Sequence, residues 1–557
     1  MRWLLILAPL AMALSACTAT DQTGEKSGYT TSPAPSDSQQ LGSVEFNTSC
    51  QEAAQPSVNR GLALLHHMTY SESRLAFRAA TQADADCAMG YWGEAMTYIH
   101  PLWSDPPSKD EFDQAVMLVN KAKQRGNKTE WEHAYIDALE AYFSGEWEAN
   151  EAPRLTRFAN AWHGVHQRFP EDIEAAAIYA VAHLGTVDPS DKSYTKQHEA
   201  GTIAEQVLKI VSDHPGGHHY SIHAYDYPPL AHHALDTARS YGNIAPDIPH
   251  ALHMPTHIFT RLGYWQESIE WNKKSADAAL RSSAGKPLSL HYLHALDYLA
   301  YAYLQGAEDQ KAQEVMETLA AINTPIQSHG ASAYALAAVP ARLALERQQW
   351  QRAASLTART PNSYPWDKFP AMEAITHFAR ALGAARMGNA NQAQSDLNRL
   401  AELKAQLPAS QAYWATQIEI QHQTALAWLH YVEGKKTQGL SLMRKAAELE
   451  ASTEKHPITP GEVLSAHELY ADMLLDMGHF EDALQQYQAS LERNPNRLNS
   501  LYGAGFAWES SGNIKMAESY YRQLINVSKN ADTDLSRLAH AKAYLKNNGQ
   551  NGTTSSL

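Results

Sequence analysis

From Gly61 onward, apolar residues recur at three- and four-residue intervals, and the breaks between runs fall at Gly, Pro and Asn. That spacing gathers the apolar positions on one face of a helix. No alternating Val/Ile/Thr run of the kind that builds a half-buried strand interrupts it. The pattern also repeats. Gly478, Ala483 and Tyr487 recur 34 residues later as Gly512, Ala517 and Tyr521, and 34 is the length of a tetratricopeptide helix–turn–helix unit. The reason for each residue type is local: Gly makes the tight turn between two helices, Ala lets them approach, and the aromatic ring fills the wedge between hairpins. Weaker copies stand at Gly388/Ala393, Gly434/Gly439, Gln348/Ala353 and, with one extra residue, Gly306/Ala312.

The predicted architecture is therefore all-α: a tetratricopeptide-like (TPR-like) α-solenoid of antiparallel helical hairpins over about residues 55–545. It divides into an N-terminal repeat region at 45–310 and C-terminal repeats at 311–546. Bends are expected at 276–290 and 357–372. The tail 547–557 reads as disordered by composition.

The first residues are of a different kind. Arg2 precedes an apolar run from Leu4 to Leu14 that is too short to span a bilayer, and Leu14-Ser15-Ala16-Cys17 follows. This looks like a lipoprotein signal peptide and lipobox over 1–17, with Cys17 acylated. The alternative is an ordinary secretory peptide with a chance Cys. Thr18, where an Asp would retain the chain at the inner membrane, points to a bacterial cell envelope location: a lipid anchor in the outer membrane, facing the periplasm. Residues 18–44 are rich in Ser, Thr, Pro and Gly and read as a flexible tether. With Cys17 lipidated, two of three cysteines remain, and an oxidising compartment favours a Cys50–Cys87 disulfide over two unrelated thiols. The net charge of −15, without a basic stripe, argues against nucleic acid as a direct partner.

The candidate chemistry is histidine. His219 and His223 stand four apart, as do His253 and His257, and the second pair lies 34 residues after the first. Residues four apart share a helix face, so adjacent repeats would present both pairs in one register. Counted from the turns, these positions face the concave groove of a TPR array, with Asp226 beside them and His294 and Asp297 arriving from the next repeat. Pro255 falls between the second pair, where it must interrupt a helix. Eleven of the chain's 27 His lie between residues 214 and 294, which raises the constellation above chance; His232, His233 and His250 are expected at the surface or behind the ligands. Imidazole nitrogens with carboxylate neighbours suit Zn²⁺, Cu²⁺ or non-haem Fe, and such an ion should leave as pH falls through about 6, near the ordinary His pKa. The competing reading is a groove that binds peptides through neutral imidazoles. No Gly-x-Ser-x-Gly elbow, His-Glu-x-x-His or phosphate-binding glycine loop is present.

The runs Cys87-Ala-Met-Gly-Tyr-Trp-Gly, His100-Pro-Leu-Trp103, His223-Ala-Tyr-Asp-Tyr-Pro-Pro-Leu230, Pro249-His-Ala-Leu-His-Met-Pro-Thr-His-Ile258 and His294-Ala-Leu-Asp-Tyr-Leu299 resemble a widespread bacterial family of secreted or lipoprotein TPR proteins without an assigned activity. The resemblance covers about residues 45–310. It implies the fold and the compartment and supplies no reaction. The expected function is a lipid-anchored periplasmic TPR scaffold that binds a protein or peptide partner and carries a His/Asp metal site in its groove. A metal-dependent enzyme, hydrolase or oxidoreductase, using the same site is the alternative.

Overall fold

The structure, a computed structural model, describes residues 39–551 apart from 104, 149 and 283–286. The Cys17 lipobox and most of the tether lie outside the described residues. Within them helix follows helix, paired into antiparallel hairpins, and the only β-type contact is an isolated bridge from Leu288 to Ile326. The all-α, TPR-like solenoid is the observed fold. No helix among the described residues is long and apolar enough to cross a membrane.

Local chemistry sets the helix starts. Ser108 opens helix Lys109–Gln124 with a capping box shared with Glu111, and Thr129 does the same for Glu130–Phe143 with Glu132. Between the two helices of a hairpin, Gly478 and Gly512 turn at φ +78° and +81°, values an L side chain rarely adopts. The wedge residues act as the repeat predicts. A Cβ on Gly503 would sit 2.2 Å from the Tyr487 ring, and one on Gly505 would sit 2.6 Å from the Tyr521 ring. Small and aromatic positions thus set how closely successive hairpins stack.

At the N-terminal end, Cys50 and Cys87 form a disulfide, with Cα atoms 4.6 Å apart. It ties an extended segment to the start of helix Ala88–Met96. Packing begins earlier than the composition of the tether implies: Leu41 is buried and its carbonyl accepts from His67 Nε2 at 3.0 Å. At the other end, helix Ser536–Asn551 runs past residue 547.

The feature that positions the site is a return of the C-terminal repeats onto the N-terminal ones. Trp265 Nε1 donates to the Asn496 carbonyl at 3.0 Å, and the Leu498 amide donates to Gln305 Oε1 at 3.0 Å. Arg497, fully buried, bridges Glu346 at 2.7 Å and Glu468 at 2.6 Å. Gly263, at φ +68°, would bring a Cβ within 2.3 Å of the Pro495 carbonyl oxygen, so this approach requires glycine. The connection from helix Lys436–Ala451 to helix Ala466–Asp476 is long, and it runs across the N-terminal half.

Candidate metal centre

Three successive helical segments carry the histidines. Helix Pro215–Tyr225 presents His219 and His223 and ends at Asp226. Next come two short helices, Pro249–His253 and Pro255–Arg261, broken at Met254 because Pro255 has no N–H to continue the ladder. Helix Leu290–Gln305 then supplies His294 and Asp297. The sequence places all seven residues on an open groove. In the structure they are buried, except His223, which is partly exposed. The physical reason is the long connection. Lys455 Nζ reaches Asp226 Oδ2 at 2.7 Å, and the Thr459 carbonyl accepts from the Tyr298 hydroxyl at 3.0 Å, so residues 453–465 roof this part of the concave face.

The predicted single constellation divides into two groups. His253, His257 and His294 form one, and His219, His223 and His250 the other; within each, one ligand atom per residue lies within 4.8 Å of the rest. His250 is a correction to the sequence reading, which set it outside the ligand set. It is 4 % exposed, and its ring centroid lies 4.9 Å from that of His219. His253 instead faces His294, with centroids 4.2 Å apart, and His250 takes the place beside His219. His232 and His233 are exposed, as expected.

The first group has a feature that one proton on each imidazole does not account for. His253 Nε2 and His257 Nε2 face each other at 3.0 Å. Asn272 turns its Nδ2 to the Ser268 carbonyl, so its Oδ1 is the atom 2.8 Å from His253 Nδ1, and that nitrogen must be the N–H. His257 Nδ1 lies 2.8 Å from Asp226 Oδ2. Burial opposes ionisation of Asp226, but Lys455 and Arg261 outweigh it and hold the carboxyl well below the usual range, so His257 Nδ1 is an N–H as well. Both Nε2 atoms then carry lone pairs. Tyr298 does not relieve them, because its hydroxyl at 3.5 Å from His257 is closer to Thr459 O. Burial lowers the pKa of both imidazoles, although Asp226 pulls that of His257 upward. Two lone pairs at this distance repel unless a metal ion or a shared proton lies between them. Metal-bound imidazoles carry this same arrangement, with Nε2 on the ion and Nδ1–H given to an oxygen. Ligands at ~2.0–2.1 Å from a common ion are themselves about 3 Å apart.

The two predicted carboxylates take other roles. Asp226 orients His257 and pairs with Arg261 Nε at 2.9 Å and with Lys455. Asp297 faces Arg342 Nη1 at 3.4 Å, and among the described residues neither carboxylate oxygen finds a hydrogen-bond partner. Burial raises its pKa to about 6, against the pull of Arg342.

A third group, His66, Glu174 and His214, also has the spacing for a metal ion. Its hydrogen bonds are complete without one. Glu174 accepts from His66 Nε2 at 2.7 Å and from His214 Nε2 at 3.1 Å. The opposite nitrogens accept from the Tyr220 hydroxyl and the Gly217 amide. Sequence reasoning passed over this group, since its members come from three distant helices with no shared spacing. It also passed over Asn272, Arg261 and Lys455. Only His250 carried a signal, three residues before His253 in Pro249-His-Ala-Leu-His253.

No protein-family model matches the chain, and no curated protein matches it. Solved structures do. A human IFIT1 dimer with PPP-AAAA is similar at 13% identity and TM-score 0.35, covering 86% of this chain and 96% of that one. An IFIT1 monomeric mutant with Gppp-AAAA is similar at 13% identity and TM-score 0.36, covering 86% of this chain and 92% of the other. Yeast Tom70 is similar at 11% identity and TM-score 0.31, covering 90% and 97%.

Proposed function

We propose that this protein is a TPR-like scaffold of the bacterial cell envelope, lipid-anchored through Cys17 and facing the periplasm, that holds a transition-metal ion between His253, His257 and His294. The observation that carries the reading is the 3.0 Å approach of His253 Nε2 and His257 Nε2, with both Nδ1 atoms committed as donors. Imidazole donors and the absence of a carboxylate from the first group suit Zn²⁺, Cu²⁺ or Fe²⁺ over Mg²⁺ or Ca²⁺. The ion would fix the N-terminal repeats under the 453–465 segment, and the concave surface outside that roof would take a protein or peptide partner.

One observation favours a metal-dependent enzyme as the second reading. Three nitrogen donors leave a coordination position free, and Asp297, a buried carboxyl without a hydrogen-bond partner among the described residues, stands on the His294 helix as a proton carrier.

The test is metal content. Full-length protein exposed to Zn²⁺, Cu²⁺ or Fe²⁺ and then desalted should retain stoichiometric metal. His253→Ala should lose the ion from this group, whereas His232→Ala, at an exposed position, should keep it. Protein that retains no metal, or a His253→Ala variant that binds as wild type, would contradict the proposal.

A further inference from the structure

We infer that the two three-histidine groups form one dinuclear centre, in which a second ion bound by His219, His223 and His250 shares a compartment and a bridging ligand with the first. The inference rests on the proposed function, since it adds an ion beside the one placed there.

Three observations lead to it. First, the second group has nitrogens with nothing to bind. His219 Nδ1 lies 2.6 Å from the His66 carbonyl, so it is the N–H and leaves Nε2 as a lone pair. Among the described residues that Nε2, His223 Nε2 and both nitrogens of His250 are buried without a hydrogen-bond partner. Buried polar atoms are nearly always partnered, and each exception asks for an explanation. The His66–Glu174–His214 group shows the contrast: there the same residue type is fully satisfied by protons.

Second, the groups adjoin along two edges. The His223 and His257 ring centroids are 6.2 Å apart, and those of His250 and His253 are 6.4 Å apart. The second edge joins His250 and His253, three residues apart on one chain segment, which would serve different ions.

Third, the charge balance calls for an added anion. All six donors are neutral imidazoles. Among the described residues the one carboxylate touching them, Asp226, is already neutralised by Arg261 and Lys455. Two divalent ions held by neutral ligands therefore require a small anion, hydroxide being the simplest, and the space between two ions that each have a free position is where it would bind.

Copper alone is the probe. Chelator-stripped full-length protein is loaded with Cu²⁺, desalted, and measured for copper per chain and for electron paramagnetic resonance. Wild type should hold two ions and show either less signal than its copper content or a half-field line, the marks of interacting spins. His250→Ala and the milder His219→Gln should each hold one ion and give an ordinary mononuclear spectrum at full intensity. Circular dichroism of both variants confirms that the helices remain. A wild-type stoichiometry of one overturns the inference and leaves the proposed function standing if His253→Ala removes that ion. Two ions with independent full-intensity spectra overturn the shared centre. No bound copper overturns both.

Discussion

Lys455 Nζ lies 2.7 Å from Asp226 Oδ2, a contact that closes 229 residues of chain and is buried on both sides. Asp226 passes the constraint to His257, so a residue of the C-terminal repeats helps orient a histidine of the N-terminal ones. Removing one member of a buried ion pair strands the other charge. Arg261 still faces Asp226, so Lys455→Met should cost about 3 kcal/mol, the low end for such a loss. It should also open the 453–465 segment to limited proteolysis. A variant as protease-resistant as wild type would show that this contact does not hold the roof.

The orienting shell makes a separate prediction. Asp226→Asn keeps an oxygen for His257 Nδ1 but loses the charge that Arg261 and Lys455 require, and Asn272→Leu leaves His253 Nδ1 without an acceptor. Changes of this kind typically weaken metal binding about 10- to 100-fold. Competition against a chelator of known affinity measures it. Unchanged affinity in both variants would mean that the two histidines need no orientation.

Acid should destabilise the metal-free protein early. Burial is the main cause that pulls His67, His223 and His456 down to about 3, and His291 to about 4. Unfolded, each would titrate near ~6.5. Below that pH the unfolded chain binds protons that the folded chain refuses, so stability present at pH 7 is lost as pH falls through ~6.5 toward the folded values. Each group contributes up to ~1.4 kcal/mol per pH unit. Urea midpoints should drop steadily between pH 7 and pH 5, and a flat profile would contradict the burial argument. The depressed pKa of His223, the one proposed ligand among them, moves release of its ion below the pH of about 6 that free imidazoles suggest.

Reduction should be costly as well. The Cys50–Cys87 bridge closes a loop across 37 positions, and losing it should remove roughly 2–4 kcal/mol. Denaturation with and without reductant, with thiol counts on the unfolded protein, checks this. Two free thiols in the oxidised, unfolded chain would contradict it.

The sequence carried the repeat because its signals are local. Gly478 to Gly512 and Tyr487 to Tyr521 act within one hairpin, where spacing alone conveys the geometry. The His-x-x-x-His pairs were legible for the same reason. What spacing could not convey was the pairing across Pro255. A 34-residue offset matches His219 with His253, whereas the fold sets His250 beside His219 and His253 beside His294. Lys455 and the burial of the site depend on the return of the C-terminal repeats, a contact between residues hundreds of positions apart that no periodicity records. Asp297 illustrates the same limit: it faces Arg342 of helix Gly330–Leu345 at 3.4 Å, a contact that repeat spacing does not record.

The central claim is that an ion lies between His253 Nε2 and His257 Nε2. X-ray absorption at the edge of the bound metal tests it most directly. The account predicts a first shell of nitrogen at ~2.0–2.1 Å, with the outer-shell scattering of imidazole rings, and loss of that scattering in part when His253 is replaced by Ala. A first shell of oxygen alone, or a spectrum unchanged by His253→Ala, would contradict it.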